Sequence, residues 1–296
     1  MSEYSYCLKI SDICVKIISE IPAKTEKAFL PFLAEDGQES GYLVDVRLVP
    51  QLMIPKGSCV YQGLGVSVWK TEDDDYIRIM QEYHEENRMY GISFFDWERK
   101  IITVSILEKR KQHAESILEI FKCIAWETVL LRENRLMLHA SFIKTPYGGI
   151  AFSGPSGIGK TTQAALWCRH GDAKLLNGDK VLLSREEQGW KGYGSPYAGS
   201  SNCHVNEWCE LRFLFFLKQG EACGLRKLSM AECFKQLYAG CTLNHWDAEY
   251  MHKACELMEL LAAELPIYEF TCTPDVCAVE YLQKQLKEGL LENRFL

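Results

Sequence analysis

The sequence predicts an α/β protein of two domains, and three observations lead to this class. Apolar and polar residues alternate through much of the first hundred positions, an apolar stripe at helical spacing follows, and strands then alternate with helices. The length of 296 residues itself suggests about two domains, at roughly 100–200 residues each. We therefore expect a β-rich (α+β) N-terminal domain with a linking helix over 1–134, and a second domain over 135–296.

Short apolar runs predict an antiparallel meander in the N-terminal domain. The acidic stretch 72–75 lies between two of these runs. Four successive carboxylates could bind a cation, but between two strands they are more typical of a solvated hairpin turn. The runs that predict strands are 42–49, 66–69, 76–80, 92–95 and 101–106.

A single helix is predicted where the pattern changes, between Glu108 and Leu131. Ile117, Phe121 and Ile124 recur there at helical spacing on a wide apolar stripe, so we expect the domain junction within about 105–135.

The second half alternates strands and helices. Ser229 and Glu232 predict a capping box at the start of one helix, and Thr273 followed by Pro274 predicts the cap and first residue of another. The predicted strands are 136–143, 150–153, 174–177, 180–184, 190–193, 211–217 and 267–271, and the predicted helices are 161–170, one from Met230, 246–264 and one after Pro274.

Composition excludes several classes of protein. The formal net charge of −7 disfavours broad nucleic-acid binding, which depends on surplus positive charge. Thirteen cysteines are scattered without a C-x-x-C pair, which disfavours a zinc site or a disulfide scaffold and favours free thiols in a reducing cytoplasm. The charged N-terminus lacks the apolar region of a signal peptide, and no apolar run reaches 18 residues, so we expect neither secretion nor a membrane span.

A phosphate-binding loop is the motif that carries chemistry. Residues 154–161 read Gly-Pro-Ser-Gly-Ile-Gly-Lys-Thr, which fits G-x-x-x-x-G-K-[ST] at every fixed position, between a predicted strand and a predicted helix. Its backbone N–H groups cradle a polyphosphate, the lysine reaches the β- and γ-phosphates, and the threonine hydroxyl serves Mg²⁺. The residues assigned to nucleotide binding are Gly154, Pro155, Ser156, Gly157, Ile158, Gly159, Lys160, Thr161 and Thr162.

Two further side chains are candidates for the same chemistry. Asp179 follows Thr161 by one helix and a return strand, and it could bind Mg²⁺ or accept a proton from an attacking hydroxyl; a plain turn aspartate is the alternative. His139 lies on the strand before the loop, where a histidine of the core is the alternative interpretation. Ser195, Tyr197 and His204 are candidates for the acceptor side, with a plain loop role equally open.

These residues together resemble the HPr kinase/phosphorylase-like family, whose P-loop domain is related to phosphoenolpyruvate carboxykinase. The resemblance rests on the order of His139, the P-loop and Asp179, followed by 193–199 (Tyr-Gly-Ser-Pro-Tyr-Ala-Gly), which looks like the family's glycine–small–proline–aromatic segment. It covers about residues 135–282. The resemblance implies a P-loop domain of this type and a Mg-ATP-dependent kinase that acts on a hydroxyl, often that of a serine.

The resemblance also assigns roles residue by residue. Lys160 and Thr161 match the phosphate- and metal-binding pair, and Asp179 matches the second of two adjacent acidic residues. His139 matches the histidine near the reacting group. The implied catalytic residues are therefore Asp179, Lys160 and His139, and the implied magnesium ligands are Thr161 and Asp179. Relatives that form rings or dimers imply a homo-oligomer.

Two departures from the family pattern matter. Gly178 stands where the family has its first acidic residue, and the glycine-rich signature tied to phosphorolysis is missing after the aspartate strand. The chain is therefore more similar to members that modify ribosomally made peptides, and the implied acceptor is a peptide, a protein or a small molecule. Gly178 motivates an alternative function, an ATP-binding sensor or assembly factor without efficient transfer. Chemistry like that of phosphoenolpyruvate carboxykinase would need further arginine and metal-ligand sites, which the sequence does not reveal.

Overall fold

The computed structural model describes residues 3–35, 41–82 and 85–289 of the chain. The protein is of the mixed α/β class, with two large sheets and few helices. It divides into two compact units, Met1–Val129 and Leu130–Leu296. Within the described ranges, no helix is both long and apolar enough to span a bilayer.

A mixed sheet of eight strands forms the described part of the first unit, in the order β1-β2-β3-β8-β7-β6-β5-β4. The predicted meander is correct from β5 to β8, and β1, β2 and β4 were not predicted. β3 pairs in parallel with both β2 and β8, so the sheet as a whole is not antiparallel. The strands are β1 (Tyr4–Ile10), β2 (Ile13–Ser19), β3 (Tyr42–Val49), β4 (Gly57–Gly63), β5 (Val66–Thr71), β6 (Tyr76–Glu82), β7 (Glu85–Asp96) and β8 (Ile101–Leu107).

The acidic stretch 72–75 is the turn of the β5–β6 hairpin, as the sequence predicts. Asp74 takes a left-handed conformation with φ 71°, which aspartate tolerates better than most residues. Its carboxylate pairs with Lys70 at 2.6 Å, so part of the acidic charge is neutralised locally.

The single helix predicted over 108–131 is wrong. A short 3₁₀ segment (Glu108–His113) is followed by two helices, α1 (Ile117–Lys122) and α2 (Trp126–Arg132). Ser116 is extended and caps α1 by accepting a hydrogen bond from the backbone N–H of Glu119 at 3.2 Å. Ala125 has φ 51°, outside the right-handed helical region, so the helix cannot continue through it. The apolar spacing is real, but local capping divides the segment.

The second unit contains, in its described part, another sheet of eight strands. Its strands are β9 (Arg135–Thr145), β10 (Gly148–Ser153), β11 (Lys174–Asn177), β12 (Lys180–Glu186), β13 (Gly189–Tyr193), β14 (Trp208–Gln219), β15 (Gly224–Lys227) and β16 (Ile267–Cys272). All were predicted from the sequence except β15. β14 pairs in parallel with β10 and β16, so the carboxyl ends of these three strands share one edge. Loops at such an edge are where α/β sheets bind ligands.

Helices cover both faces of this second sheet. α3 and α6 enclose a core rich in phenylalanine, including Phe152 and Phe215, whereas α4 and α5 enclose a core with Leu138 and Leu214. The predicted capping box of α4 is present. The helices are α3 (Lys160–His170), α4 (Met230–Gly240), α5 (Ala248–Glu264) and α6 (Val276–Lys287).

The predicted start of the last helix at Pro274 is wrong, because Asp275 rather than Thr273 caps α6. The Asp275 carboxylate accepts hydrogen bonds from the backbone N–H of Cys277 and from the Thr273 hydroxyl, both at 2.9 Å. A carboxylate next to free helix N–H groups outcompetes the hydroxyl two residues earlier.

Candidate phosphate-binding and transfer site

The glycine-rich loop connects β10 to α3 at the shared edge of the parallel strands. Gly154, Gly157 and Gly159 have φ values of 136°, 79° and 112°, a region that residues with a side chain rarely adopt. Space is not the constraint at Gly157 or Gly159, since an added Cβ would meet nothing within 4 Å. The backbone conformation therefore requires glycine. It turns the loop into the N-terminus of an eleven-residue helix, whose free N–H groups favour a bound anion.

Lys160 is the first residue of α3 and is only 7% exposed. Its Nζ donates to the carbonyl oxygens of Gly154 and Pro155, at 2.9 and 3.0 Å. Burial lowers the pKa of Lys160, while the charge of Asp179 acts in the opposite direction. The lysine and the aspartate thus interact electrostatically within one site. Thr161, the next residue, is exposed, so its hydroxyl is open to solvent.

His139 and Asp179 are brought together as a pair. The Nδ1 atom of His139 lies 3.0 Å from Asp179 Oδ1 and 3.1 Å from the Asp179 backbone oxygen. Two acceptors at one ring nitrogen assign a proton to Nδ1, so this nitrogen is the donor to Asp179. The pair lies next to the loop, because the Ser153 hydroxyl at the end of β10 donates to the His139 carbonyl oxygen at 2.9 Å.

Asn177, which the sequence analysis does not single out, holds the turn that carries Asp179. It is fully buried, and its Oδ1 accepts the backbone N–H groups of Asp179 and Lys180 at 2.8 and 2.7 Å. Its Nδ2 donates to Ser195 Oγ at 3.1 Å and to the Tyr197 carbonyl oxygen at 3.2 Å. An Asn-Gly dipeptide signals a turn, but only the fold reveals that one amide ties this turn to a segment some twenty residues away.

The predicted acceptor-side residues occupy different environments. Ser195 is fully buried and donates to the Lys180 carbonyl oxygen at 2.7 Å, so its hydroxyl is used in holding the backbone. Tyr197 is half-buried, and its ring lies 5.8 Å from Lys180 Nζ. His204 is half-buried, with Nδ1 3.1 Å from the Pro196 carbonyl oxygen. Of the three, Tyr197 has its side chain beside a charged group of the site.

Position 178 requires glycine because the side chain of Ser201 packs against it. A Cβ at position 178 would lie 2.1 Å from Ser201 Oγ and 2.3 Å from Ser201 Cβ. The Ser201 hydroxyl is itself held, since it donates to the Ala198 carbonyl oxygen at 2.6 Å and accepts from the Cys203 N–H at 3.2 Å. A serine from another segment therefore occupies the space that a side chain at position 178 would need, and Asp179 is the carboxylate of this turn.

The change Gly178→Ala tests this packing. We expect it to lower the free energy of unfolding by about 1–3 kcal/mol, because overpacking forces the serine or the turn to move. In a Ser201→Gly background the same change costs less. Denaturant unfolding of the four proteins measures this double-mutant cycle. Gly224→Ala is the control, since an added Cβ there meets nothing within 4 Å. An equal cost of Gly178→Ala in both backgrounds would rule out the contact as the cause.

A cavity of about 330 Å³ opens on the loop. Residues 157–159 of the glycine-rich loop and Thr162 form one wall, and the ends of β14 and β16 form the other, with Gln219, Thr273 and Pro274. The residues that line the cavity include neither Asp179 nor His139. The loop thus borders two distinct features, an open cavity and the Asp179–His139 pair. The volume is within the range of small-molecule sites.

Comparison with known proteins gives little information. The chain matches no protein-family model and no curated protein. Among solved structures it is similar to the Hpr(Ser) kinase/phosphatase from Coxiella burnetii, at 16% sequence identity and a TM-score of 0.33. That similarity covers 53% of this chain and 91% of the other.

Proposed function

We propose that this protein is a Mg-ATP-dependent kinase that transfers the γ-phosphoryl group to a hydroxyl, with a serine side chain favoured, of a peptide, a protein or a small molecule. One observation carries the proposal: the Asp179–His139 pair lies next to the glycine-rich loop, and the charge of Asp179 acts on Lys160 of that loop. Phosphoryl transfer needs this combination of a phosphate cradle, a cation and a proton acceptor. The proposal includes a P-loop domain of the HPr kinase and phosphoenolpyruvate carboxykinase type.

The residues present fit a magnesium nucleotide. The loop glycines, at positive φ, bring backbone N–H groups to the phosphates, and Lys160 supplies the cation. In the proposal the exposed Thr161 hydroxyl and the Asp179 carboxylate hold Mg²⁺. When bound, the metal neutralises charge on the phosphates. The proposal also places the protein in a reducing cytoplasm, because all thirteen cysteines are free thiols. It further includes a homo-oligomer.

The transfer step assigns a role to each side chain. The acceptor oxygen attacks the γ-phosphorus, the new O–P bond forms, and the bond from phosphorus to the β–γ bridging oxygen breaks, so that ADP leaves. The proton of the acceptor hydroxyl passes to the Asp179 carboxylate. His139 donates from Nδ1 to that carboxylate and so fixes its orientation. Lys160 stabilises the charge that develops on the phosphoryl oxygens.

The cavity beside the loop is the proposed binding place of the nucleoside. Lys160 and Thr161 are assigned to the phosphates and the metal, and Thr162 follows them directly. Because Thr162 lines the cavity, we place the nucleoside end of ATP there. Ile158 and Pro274 offer apolar contacts to a base, and Gln219 offers a polar group.

The change Thr162→Tyr tests this placement. The longer side chain fills the cavity, so we expect the affinity for Mg-ATP to fall at least about tenfold while that for Mg-tripolyphosphate stays unchanged. Ala165→Tyr is the matched control, because Ala165 is exposed on the same helix and does not line the cavity. Calorimetric titration measures both ligands. An equal loss for both would place the nucleoside elsewhere.

The second candidate function is an ATP-binding sensor or assembly factor without efficient transfer. The observation that favours it is Gly178, which leaves the turn with a single carboxylate. Incubation with Mg-ATP and a panel of peptides and metabolites, followed by mass spectrometry, separates the two candidates. A kinase adds one phosphate to an acceptor, and the gain disappears in Lys160→Ala and Asp179→Asn. ATP binding without product across the panel favours the sensor.

A further inference from the structure

A second lysine, Lys180, belongs to the same edge of the sheet as the transfer site. It is the first residue of β12 and lies directly opposite His139 of β9 in the antiparallel register. Opposed residues of an antiparallel pair extend from the same face, with Cβ atoms about 4.5–5.5 Å apart. Asp179 immediately precedes it in the chain. Three chemically active side chains, His139, Asp179 and Lys180, are therefore neighbours.

The two groups that contact the Lys180 ammonium are neutral. Its Nζ lies 3.4 Å from the Thr242 hydroxyl and 5.8 Å from the centre of the Tyr197 ring. No carboxylate forms a salt bridge with it within the described part of the chain. A half-buried ammonium whose direct contacts are both neutral favours the approach of an anion.

This lysine lies apart from the residues assigned to the nucleotide. Lys160 contacts carbonyl oxygens of the loop, and the cavity is lined by the loop and by the ends of β14 and β16. Thr242 lies between α4 and α5, and Tyr197 lies in the segment after β13, so neither belongs to the loop or to the cavity. Lys180 is therefore a cation next to Asp179 that neither the loop nor the cavity uses.

We infer that Lys180 binds an anionic group, a carboxylate or a phosphate, that the phosphoryl acceptor itself carries. The inference rests on the proposed kinase function and narrows its substrates to acidic hydroxyl compounds. Lys180 binds the anion by a charge-assisted hydrogen bond, and the Thr242 hydroxyl donates a second one. The Tyr197 ring forms the other side of the site. The acceptor hydroxyl is then held at Asp179, the residue that precedes Lys180 in the chain.

Anion binding to the nucleotide-loaded protein tests the inference. The protein is saturated with Mg²⁺ and the non-hydrolysable analogue AMP-PNP, which occupies the loop, and is titrated with inorganic phosphate in one arm and acetate in the other. We expect the wild type to bind at least one of these anions, and Lys180→Met to weaken that binding at least about tenfold. Lys180→Arg retains it. Lys174→Met is the matched control, since Lys174 is exposed and paired with Glu207 at 2.5 Å.

The outcomes separate this inference from the kinase proposal. Unchanged affinity for AMP-PNP shows that Lys180→Met is folded and that its nucleotide site is intact. Equal anion binding by wild type and Lys180→Met, no anion binding by the loaded wild type, or loss of AMP-PNP binding in Lys180→Met would overturn the inference. If the anion depends on Lys180 but no acceptor of the panel gains phosphate, the anion site stands and the kinase proposal fails. The affinities for phosphate and for acetate, compared in the wild type, show which anion the site prefers.

Discussion

The change Asp179→Asn is expected to lower the rate of phosphoryl transfer by about 10²- to 10⁴-fold, the usual contribution of a general base. Asparagine has nearly the same shape, so Oδ1 can still accept the hydrogen bond from His139 Nδ1. It cannot take up a proton, and it is a weaker ligand for Mg²⁺ than a carboxylate. The turn survives the change because Asn177 holds the backbone N–H of residue 179 rather than its side chain. The measurement is the rate of phosphate gain by an acceptor at saturating Mg-ATP.

Asp172→Asn is the control for this change. Asp172 is exposed in the turn after α3, and its φ of 52° suits asparagine as well as aspartate. We expect wild-type transfer from this variant. If Asp179→Asn transfers phosphate at the wild-type rate, Asp179 is not the proton acceptor and the assignment of the site is wrong.

The change Lys160→Met is expected to weaken Mg-ATP binding by about 10- to 100-fold, which corresponds to the loss of a charge-assisted hydrogen bond. Transfer falls further, because the same cation stabilises the charge that develops on the phosphoryl oxygens. Methionine keeps the length of the buried side chain and its packing, and it removes only the ammonium with its hydrogen bonds to the Gly154 and Pro155 carbonyl oxygens. Calorimetry with AMP-PNP measures binding, and the mass assay measures transfer.

Lys174→Met removes an exposed lysine at the start of β11 and serves as the control for charge. It should bind AMP-PNP as the wild type does. Wild-type affinity of Lys160→Met for AMP-PNP would show that the loop does not hold the phosphates through this lysine. Circular dichroism of each variant verifies that the fold is intact.

Local sequence patterns predict the strand, the loop and the helix of the site, because these elements are formed by neighbouring residues. The strand Gly148–Ser153, the loop and the helix Lys160–His170 are contiguous, and each has its own signal in glycine spacing and apolar periodicity. The capping box of α4 is equally local, because Ser229 and Glu232 are three residues apart. In such segments the interactions that decide the structure lie within the same short window.

Long-range contacts explain what the sequence could not reveal. The role of Asn177 depends on Ser195 and Tyr197, and the need for glycine at 178 depends on Ser201, twenty-three positions later in the chain. No periodicity marks such pairs. In the sequence, Lys180 looks like an ordinary strand residue. Only the strand register shows that it lies opposite His139.

The errors in the predicted elements have the same origin. Parallel pairing of β3 with β8 joins strands more than fifty residues apart, whereas hairpin patterns favour antiparallel neighbours. The broken helix after β8 depends on Glu26, whose carboxylate accepts hydrogen bonds from the Ser116 hydroxyl and from the Leu118 N–H at 2.7 and 2.9 Å. A distant carboxylate thus helps to fix the start of α1, which apolar spacing alone would have placed inside a longer helix.

Phosphate gain by an acceptor is the measurement that tests the proposed function most directly. Wild-type protein is incubated with Mg-ATP and a panel of hydroxyl compounds, with and without a carboxylate or phosphate of their own, and each acceptor is followed by mass spectrometry. We predict that an acidic member gains one phosphate with the wild type, and that the gain is lost with Lys160→Met and Asp179→Asn. Tight binding of Mg-ATP with no phosphate gained by any member of the panel would contradict transfer and would favour a nucleotide sensor.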